Sequence, residues 1–377
     1  FGKLKPLIEC VKESKSFDYA IFATGMHMLA RYGSTVHEIY KSGFDQVFSF
    51  INQDASINSQ MDMVLATTIQ GFGHYVRELK PDLIVVHGDR VETLAGAIVG
   101  ALNNVLVAHI EGGEVSGTVD ELLRHSVTKL AHVHFVANED ARRRLVQMGE
   151  SPDAVWVIGS PDIDVMLSAN LPDIEDVKKK YAIPFDRYGI FLYHPVTTEL
   201  AKLPERTRQV VAGLKATRFP WVAIYPNNDQ GAPVIQHALD ELAHDDKFRV
   251  VPSMRFEHFL SLLRDARCIA GNSSAGIREA PVYGVPSLNL GSRQNARYRH
   301  ASIVDVEEDA EAIRRAMDAL PERFAPSMHF GNGNSAGAFM RALRDPALWG
   351  TPRQKLFRDV EDVHSRPTTR PSTPSSD

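Results

Sequence analysis

The chain has 377 residues, 44% of them hydrophobic and 24% charged, and its formal net charge is -5. This length predicts two domains, and the composition is that of a soluble globular protein. A negative net charge provides no basic surface for nucleic acid, and no apolar run is long enough to span a membrane. The two cysteines, Cys10 and Cys268, do not indicate a disulfide framework. We therefore expect a cytoplasmic protein without nucleic-acid or membrane partners.

The first half of the chain alternates strand-like and helical segments, which is typical of a parallel α/β sheet. An amphipathic helix at the start is followed by a predicted strand over 19–23. The segment 33–58 has no clear periodicity and is expected to be irregular, whereas 58–79 predicts a long helix. Further strands of this half are predicted over 83–86, 105–110, 132–137 and 155–158.

The second half repeats this rhythm. Its predicted strands cover 189–193, 221–225, 248–251, 268–271 and 287–290. Two such sheets in tandem predict two doubly wound, Rossmann-like α/β domains with a cleft between them. We assign 1–168 to the N-terminal domain and 181–335 to the C-terminal domain, with the polar stretch 171–180 as the connection. The Ser-, Thr- and Pro-rich segment 365–377 has no apolar face and is predicted to be a disordered tail.

Charged residues follow the ends of two neighbouring strands in the first half. Asp89 and Arg90 come after the first of these strands, and Glu111 comes after the second. The next predicted helix carries Asp120 and Arg124, which share one face because they are four residues apart. Ligands of parallel α/β sheets bind beyond the carboxyl ends of the strands, so these residues predict a site. The alternative is that they are solvated loop charges and ion pairs.

A second group of candidates lies in the other half. The segment GNSSAGIREA follows a strand and opens a helix, which places Ser273 and Ser274 where backbone N–H groups bind phosphate. A plain helix cap by one of the serines is the alternative. Glu279 lies about one helical turn further on and could accept hydrogen bonds from ribose hydroxyls. His194 and Asn227 each follow a predicted strand, and Asn227 is a candidate donor to a sugar or phosphate.

Several motifs occur in the order found in one enzyme family. They are VHGDR, HIEGGE, DELLRHSVTKLAHVHF, HPVTT, PNNDQG, GNSSAGIRE and NLGSRQ. Through them the chain resembles the hydrolysing UDP-N-acetylglucosamine 2-epimerases of sialic acid biosynthesis, over nearly all of residues 1–343. Those enzymes convert UDP-GlcNAc and water into UDP and N-acetylmannosamine. The GGE of HIEGGE resembles the hydrolysing branch, since the non-hydrolysing branch typically has EAGLR at this place.

The resemblance implies a GT-B architecture, in which a last helix, here within 336–345, crosses back to the first domain. It implies UDP-GlcNAc and UDP as small-molecule partners, no cofactor, and a homodimer or homotetramer. In the family, a strand ending in a T-x-T/N-R-A-D/E loop precedes the first helix, and Phe1 comes directly after the position of that loop. We therefore expect the first strand to be missing, together with an Arg and an acidic residue of the site.

The resemblance also implies roles for individual residues. The reaction needs at least two acid/base groups on different sides of the sugar ring. The matching positions are Asp89, Glu111 and Asp120. Which of them serves which side stays open, while His194 is expected to act on the sugar and Arg124 to orient Asp120. Arg278 is expected only to form a surface ion pair. The residues expected to bind the substrate are Arg90, Asn227, Ser273, Ser274, Glu279 and Arg293, with the serines and Arg293 at the diphosphate.

Other functions fit parts of the pattern. His109-x-Glu111 and His132-x-His134 each place two metal-ligand types on one strand face. No set of three appears at a recognisable spacing, so we expect no metal. A retaining glycosyltransferase would share the fold and the nucleotide cleft but would transfer the sugar to an acceptor. The remaining alternatives are a hydrolysing UDP-N,N'-diacetylbacillosamine 2-epimerase and a nucleotide-sugar-binding protein without catalysis.

Overall fold

The computed structural model describes residues 1–30, 33–53, 60–116, 119–226 and 229–359. Its strands are β1 (Ile21–Ala23), β2 (Val47–Ser49), β3 (Leu83–His87), β4 (Leu106–Ile110), β5 (Val133–Val136), β6 (Val155–Val157), β7 (Gly189–Leu192), β8 (Trp221–Ile224), β9 (Phe248–Val251), β10 (Cys268–Gly271), β11 (Ser287–Leu290) and β12 (Ile303–Val306). Its helices are α1 (Lys5–Glu13), α2 (His37–Lys41), α3 (Met61–Leu79), α4 (Val91–Leu102), α5 (Val119–Leu130), α6 (Glu139–Gln147), α7 (Pro161–Met166), α8 (Ile174–Tyr181), α9 (Leu203–Lys215), α10 (Ala232–Leu242), α11 (Phe256–Asp265), α12 (Ala275–Arg278), α13 (Ala310–Asp318), α14 (Ser335–Arg344) and α15 (Pro346–Trp349). Within the described ranges, no helix is both long enough and apolar enough to cross a membrane.

The strands form three parallel sheets. The first half of the chain contributes a four-stranded sheet in the order β3-β4-β5-β6 and a separate two-stranded sheet of β1 and β2. The second half contributes a six-stranded sheet in the order β12-β11-β10-β7-β8-β9. Here β7 and β10 are neighbours, and the strand order reverses between them. Such a reversal opens a crevice at the carboxyl ends of the two strands, where ligands bind in α/β proteins.

Both faces of the six-stranded sheet are covered, because its central strands are apolar on both sides. Ile190 of β7 is the register partner of Val222 on one side and of Ile269 on the other, and all three belong to one hydrophobic core. Phe191 and Ala270 point to the opposite face and belong to a second core. Packed helices therefore leave only the strand ends of this sheet open to a ligand.

The helix α14 follows the six-stranded sheet in the chain but packs on the four-stranded sheet. The ring of Phe339 in α14 lies 4.9 Å from the ring of Phe135 in β5. Leu343 joins the same core as Ile110 of β4. The division into domains at 168 and 181, with 336–345 crossing back, stays a prediction.

Two stretches differ from the sequence-based expectation. The sequence predicts an irregular segment over 33–58, but the described part of it contains α2 and β2, and β2 pairs with β1. Phe48 of β2 stacks on Tyr75 of α3 at 4.6 Å, so tertiary packing rather than local periodicity supports this strand. The expected connection over 171–180 contains α8, which packs against α11 and buries Val177. The predicted tail at 365–377 lies outside the described residues.

A large cavity extends from the first sheets to the polar loops. Its volume is about 1980 Å³, and residues of β1, β3, α1, α3 and α14 line its apolar part. Along this part, β1 pairs only with β2 and β3 only with β4 among the described strands. The other end of the cavity reaches the loops after β3 and β7, which carry predicted site residues.

Candidate functional site

The loop after β3 places Asp89 at the wall of the cavity. Gly88 turns the chain with a φ of 74°, and its N–H donates to a β4 carbonyl at 3.0 Å. Asp89 pairs with the guanidinium of Arg124, a buried residue of α5. Burial alone would raise the pKa of Asp89, but the positive charges of Arg124 and Arg297 outweigh burial and lower that pKa. Asp89 is therefore an ionised carboxylate near neutral pH.

Glu111 follows β4 with a φ of 65°, in the left-handed region that non-glycine residues usually avoid. Three side chains enclose its carboxylate. Arg278 donates to it at 2.6 Å, the hydroxyl of Ser160 donates to it, and Nε2 of His87 lies 3.2 Å away. Burial alone would raise the pKa of Glu111, but the charge of Arg278 outweighs burial and lowers that pKa well below its usual value. Backbone strain of this kind clusters at functional sites.

Gly113 allows the loop after β4 to pass close to α6. Its φ is 77°, and a Cβ atom at this position would lie 2.3 Å from the carbonyl oxygen of Ala141. Arg144 of α6 donates to the Gly113 carbonyl at 3.1 Å. Only glycine fits at this contact, which explains the second glycine of HIEGGE. The close contact with α6 helps to hold Glu111 in its strained position.

The crevice between β7 and β10 holds His194 and Asn272. The Asn272 side chain accepts from the His194 N–H at 2.7 Å and donates to the His194 carbonyl at 2.8 Å. Gly271 has a φ of 138°, and a Cβ there would lie 2.0 Å from a carbonyl oxygen of β7, so only glycine lets the two strand ends approach this closely. Burial and the charge of Arg293 lower the pKa of His194 well below its usual value, which keeps its imidazole neutral.

The loop after β10 carries Ser273 and Ser274 into α12. The hydroxyl of Ser273 accepts from the N–H of Ala275 at 3.3 Å. The helix α12 is only four residues long. Its dipole is correspondingly small, because the macrodipole sums over aligned peptide units. Phosphate binding by this loop would therefore depend on its individual N–H groups and hydroxyls.

Glu279 is buried at the end of α12 and does not line the cavity. Its Oε1 atom accepts from Lys3 at 2.9 Å, and Lys3 also donates to Asp162 at 2.8 Å. Burial alone would lower the pKa of Lys3, but the charges of Asp162 and Glu279 outweigh burial and raise it. Among the described residues, the Oε2 atom of Glu279 has no hydrogen-bond partner. This oxygen is enclosed by protein and does not reach the cavity, so the expected contact of Glu279 with ribose hydroxyls stays a prediction.

Loops of both large sheets meet at the polar end of the cavity. We call the loops after β3 and β4 and the start of α5 the first wall, and the loops after β7, β8, β10 and β11 together with α12 the second wall. At the cavity, Arg293 lies 3.7 Å from Asp120 and Arg90 lies 3.5 Å from Asp229, so ion pairs cross between the walls. The cavity thus combines carboxylates with guanidinium groups, which suits an anionic ligand and acid/base chemistry.

The structure brings the predicted site residues into one region. Those that line the cavity are Asp89, Arg90, Asp120 and Arg293. Those in the adjoining loops and helices, outside the lining, are Glu111, Arg124, His194, Ser273, Ser274 and Glu279. Asn227 lies outside the described residues, so its role stays a prediction. Sequence reasoning misses Asn272 and Ser160, although their positions just after β10 and β6 are a usable signal.

The structure contradicts two expectations, one for Arg124 and one for Arg278. Arg124 does not orient Asp120: its guanidinium pairs with Asp89, and its Nη1 atom donates to Ser116 at 3.2 Å. The spacing of four residues makes a pair on the helix possible, but the buried loop offers closer acceptors. Arg278 is not at the surface, because its side chain is only 4% exposed and contacts the first wall.

The histidines of the strands have structural hydrogen bonds. His109 donates to the Gly88 carbonyl at 2.9 Å, and burial lowers the pKa of His109 to about 3. His134 lies 3.1 Å from Glu150, and His132 accepts from a backbone N–H of β4 at 3.0 Å. In the part of the chain that the structure describes, no group of three or more His, Cys, Asp or Glu side chains could hold a metal ion.

The fold is shared with solved nucleotide-sugar epimerases. The crystal structure of a UDP-GlcNAc 2-epimerase from Neisseria meningitidis, bound to UDP-GlcNAc, matches with a TM-score of 0.77 at 19% sequence identity. The match covers 91% of this chain and 96% of that chain. With its parallel sheets and the cavity at their strand ends, the chain is an α/β protein of the GT-B type, as the resemblance implies. The strand order reverses in the six-stranded sheet, whereas the described strands β3 to β6 pair in chain order and β1 and β2 form a separate sheet.

Sequence comparison identifies the family. The model of the UDP-N-acetylglucosamine 2-epimerase family matches residues 9–344, and the chain belongs to this family. A relative from Neisseria meningitidis serogroup B, a UDP-N-acetylglucosamine 2-epimerase, is 43% identical over 96% of both chains. A UDP-N,N'-diacetylbacillosamine 2-epimerase (hydrolyzing) from Legionella pneumophila is 32% identical over 91% of this chain and 92% of the relative. The polysialic acid biosynthesis protein P7 of Escherichia coli is 29% identical over 96% and 95%.

Proposed function

We propose that the protein is a hydrolysing UDP-GlcNAc 2-epimerase, which converts UDP-GlcNAc and water into UDP and N-acetylmannosamine for sialic acid biosynthesis. The Neisseria relative supports the substrate, because it is a UDP-N-acetylglucosamine 2-epimerase with 43% identity. The HIEGGE motif and the hydrolysing type of the Legionella relative support hydrolysis. The polysialic acid biosynthesis protein supports the sialic acid branch.

The observation that carries this proposal is the meeting of carboxylates and guanidinium groups at one cavity. Asp89 and Asp120 line the cavity from the first wall, and Arg293 lines it from the second, 3.7 Å from Asp120. A diphosphate leaving group needs cationic donors, for which guanidinium groups are well suited. The sugar ring needs groups that take and return protons. Both requirements are met within reach of the same cavity.

The proposed reaction has two halves. In the first, the C2 proton leaves, its electron pair forms a C1–C2 double bond, and the C1–O bond to UDP breaks to give 2-acetamidoglucal. In the second, water adds its oxygen at C1 while a proton returns to C2 from the opposite side, which gives N-acetylmannosamine. One water is consumed, and the carbon that was epimerised has exchanged its proton. Acid/base groups on both sides of the ring are therefore required.

The charge states of the carboxylates limit which group can act first. The pKa of Asp89 and that of Glu111 are both lowered, against the effect of burial, mainly by Arg124 and Arg278 respectively. Both groups can therefore accept the C2 proton in the resting state, and Asp89 is the one that lines the cavity. In our proposal Asp89, Glu111 and Asp120 together supply the acid/base groups, with Asp120 on the side of the ring opposite to the group that accepts the C2 proton. Neutral His194 hydrogen-bonds to the sugar.

The decisive experiment is to incubate the purified protein with UDP-GlcNAc in the absence of any acceptor sugar and to follow the products by proton and phosphorus NMR. We expect UDP and N-acetylmannosamine in equal amounts. Asp89→Asn should lose turnover while binding UDP, which controls for contaminating activity. UDP-N-acetylmannosamine without UDP release would identify a non-hydrolysing epimerase, turnover only with an acceptor would identify a glycosyltransferase, and binding without turnover would identify a non-catalytic protein.

A second substrate is favoured by one observation, the 32% identity to the Legionella enzyme. The two hydrolysing reactions share the elimination chemistry and differ in the substituents of the sugar. Measuring kcat/KM for UDP-GlcNAc and for UDP-N,N'-diacetylbacillosamine on the same preparation separates them. We expect the larger value for UDP-GlcNAc, and the reverse order would assign the protein to the other substrate.

We also propose that the protein is a cytoplasmic homodimer or homotetramer with the two-domain division given above. Light scattering coupled to size exclusion tests the assembly, and a monomer at micromolar concentration would contradict it. Fractionation of the source cells tests the location. Limited proteolysis tests the division, because the first cut should fall between 168 and the start of α8 rather than inside either large sheet.

A further inference from the structure

We propose that Arg278 is a positioning residue that holds the Glu111 carboxylate in place from the opposite wall, and so couples the loop after β10 to the acid/base site. The inference rests on the proposed function, because Glu111 takes part in catalysis only if the protein moves protons on the sugar. It extends that function by giving a defined task to a residue that neither contacts the cavity nor belongs to the predicted set.

The geometry around Arg278 fixes its guanidinium in one orientation. Its Nη2 atom donates to Oε1 of Glu111 at 2.6 Å and to the Ser160 hydroxyl at 2.6 Å, and its Nη1 atom pairs with Glu114. The guanidinium carbon lies 4.6 Å from the centre of the Phe330 ring. A planar fork that joins two carboxylates and packs on an aromatic face can be matched by no other side chain.

The contact joins two parts of the fold that are far apart in sequence. Arg278 ends α12, which follows β10 of the six-stranded sheet, whereas Glu111 and Glu114 follow β4 of the four-stranded sheet. Ser273 and Ser274, which are predicted to bind the diphosphate, lie in the loop that leads directly into α12. A nucleotide that moves this loop therefore also moves the main cationic partner of Glu111.

Several charged groups face Glu111, and Arg278 has the largest lowering effect on its pKa. His87 faces it from β3, Lys3 acts on it from the start of the chain, and Glu114 belongs to its own loop. Asp162 at the start of α7 lies 3.7 Å from Arg278. Burial alone would raise the pKa of Glu111, and Arg278 is the first of the charges that lower it. Without Arg278, the pKa of Glu111 should therefore rise.

Two substitutions separate charge from geometry. Arg278→Met removes the cation, and Arg278→Lys keeps a charge but loses the fork. We expect kcat with UDP-GlcNAc to fall by about tenfold to a hundredfold in Arg278→Met, the effect of one charge-assisted hydrogen bond, with KM and the affinity for UDP changed much less. The acid limb of the kcat profile should move to higher pH, because more of Glu111 is protonated. Arg278→Lys should restore part of both effects.

Arg267→Met is the matched control. Arg267 is also buried on the six-stranded sheet, but it donates to the carbonyls of Pro321 at 2.9 Å and Leu320 at 2.5 Å, and none of its contacts reaches Glu111. Its removal should reduce thermal stability without moving the acid limb. If the acid limb of the kcat profile shifted equally in Arg267→Met and Arg278→Met, the role of Arg278 would be purely structural. That result would overturn the proposal.

A readout that does not need activity keeps the test independent of the proposed function. The carboxyl carbon of Glu111, labelled with carbon-13 and assigned with Glu111→Gln, should titrate at higher pH in Arg278→Met than in the wild type. Saturating UDP should shift this resonance in the wild type and not in Arg278→Met. If Arg278→Met does not fold, Arg278→Gln, which also removes the charge, gives the same comparison. An unchanged titration overturns this inference, whereas a wild type that does not turn over UDP-GlcNAc refutes the proposed function instead.

Discussion

Asp89→Asn and Arg124→Met, made singly and together, measure the electrostatic energy stored at the first wall. The side chain of Arg124 is 4% exposed and that of Asp89 is 26% exposed. Removing one partner of a buried pair costs about 3–5 kcal/mol when the other charge cannot reach water. Asp89→Asn leaves the more buried charge without its partner, so we expect a loss of about 3 kcal/mol. Arg124→Met leaves Asp89, which water in the cavity can solvate, and should cost about 1.5–3 kcal/mol.

The pH dependence of the unfolding free energy tests the same ion pair. The fold lowers the pKa of Asp89 below the ordinary value of 3.8, so its contribution is present above that pH and is lost as the pH falls through the folded pKa. The difference in unfolding free energy between wild type and Asp89→Asn should be constant above about pH 5 and should shrink below about pH 4. Urea denaturation followed by tryptophan fluorescence measures this difference. The argument would be refuted if the losses of unfolding free energy in the two single variants summed to the loss in the double variant within about 0.5 kcal/mol. It would also be refuted if Arg124→Met lost more stability than Asp89→Asn.

Further measurements test the rest of the site. Gly113→Ala should lower the unfolding free energy by more than the roughly 1–2 kcal/mol of an unfavourable φ, because its Cβ would also lie 2.3 Å from a carbonyl oxygen. The control is Gly350→Ala, whose Cβ would have its nearest atom at 3.6 Å. Equal stability of the two variants would contradict the steric argument. Arg293→Ala should weaken UDP binding in calorimetry by about tenfold to a hundredfold, and an unchanged affinity would remove Arg293 from the diphosphate site. EDTA should leave turnover intact, and a loss that added metal restores would disprove a metal-independent reaction. Turnover in D2O should place deuterium at C2 of the product, and labelled water should place its oxygen at C1; protium at C2 would exclude the elimination.

The central strands could be predicted because their local amino-acid composition reflects their burial. β8 and β10 are fully buried runs of apolar and small residues, which is typical of parallel strands covered on both faces. β2 and β12 have no such run. β2 is half-exposed and depends on its pairing with β1, and β12 is an edge strand whose Asp305 accepts from Asn289 at 2.8 Å. Strands that are stabilised mainly by pairing with a neighbouring strand have little sequence pattern from which they could be predicted.

The location of the candidate site could also be predicted, because the carboxyl ends of parallel strands meet at one edge of a sheet. This rule brings Asp89, Glu111 and His194 to the region where the structure has them. The partners of these residues could not be predicted in the same way. Arg278 and Glu111 are 167 positions apart, and Lys3 and Glu279 are 276 positions apart. Such contacts depend on how the two large sheets face each other, which no local pattern encodes.

The lowered pKa of Asp89 and that of Glu111 have a consequence for the proposed cycle. A carboxylate that an arginine holds ionised is ready to accept a proton but becomes a strong acid once it has done so. In our proposal Arg124 and Arg278 therefore keep both carboxylates ionised in the resting state, make them weaker bases, and favour release of an accepted proton afterwards. If the proposed cycle is correct, the two buried guanidinium groups help both carboxylates to lose an accepted proton before the next turnover.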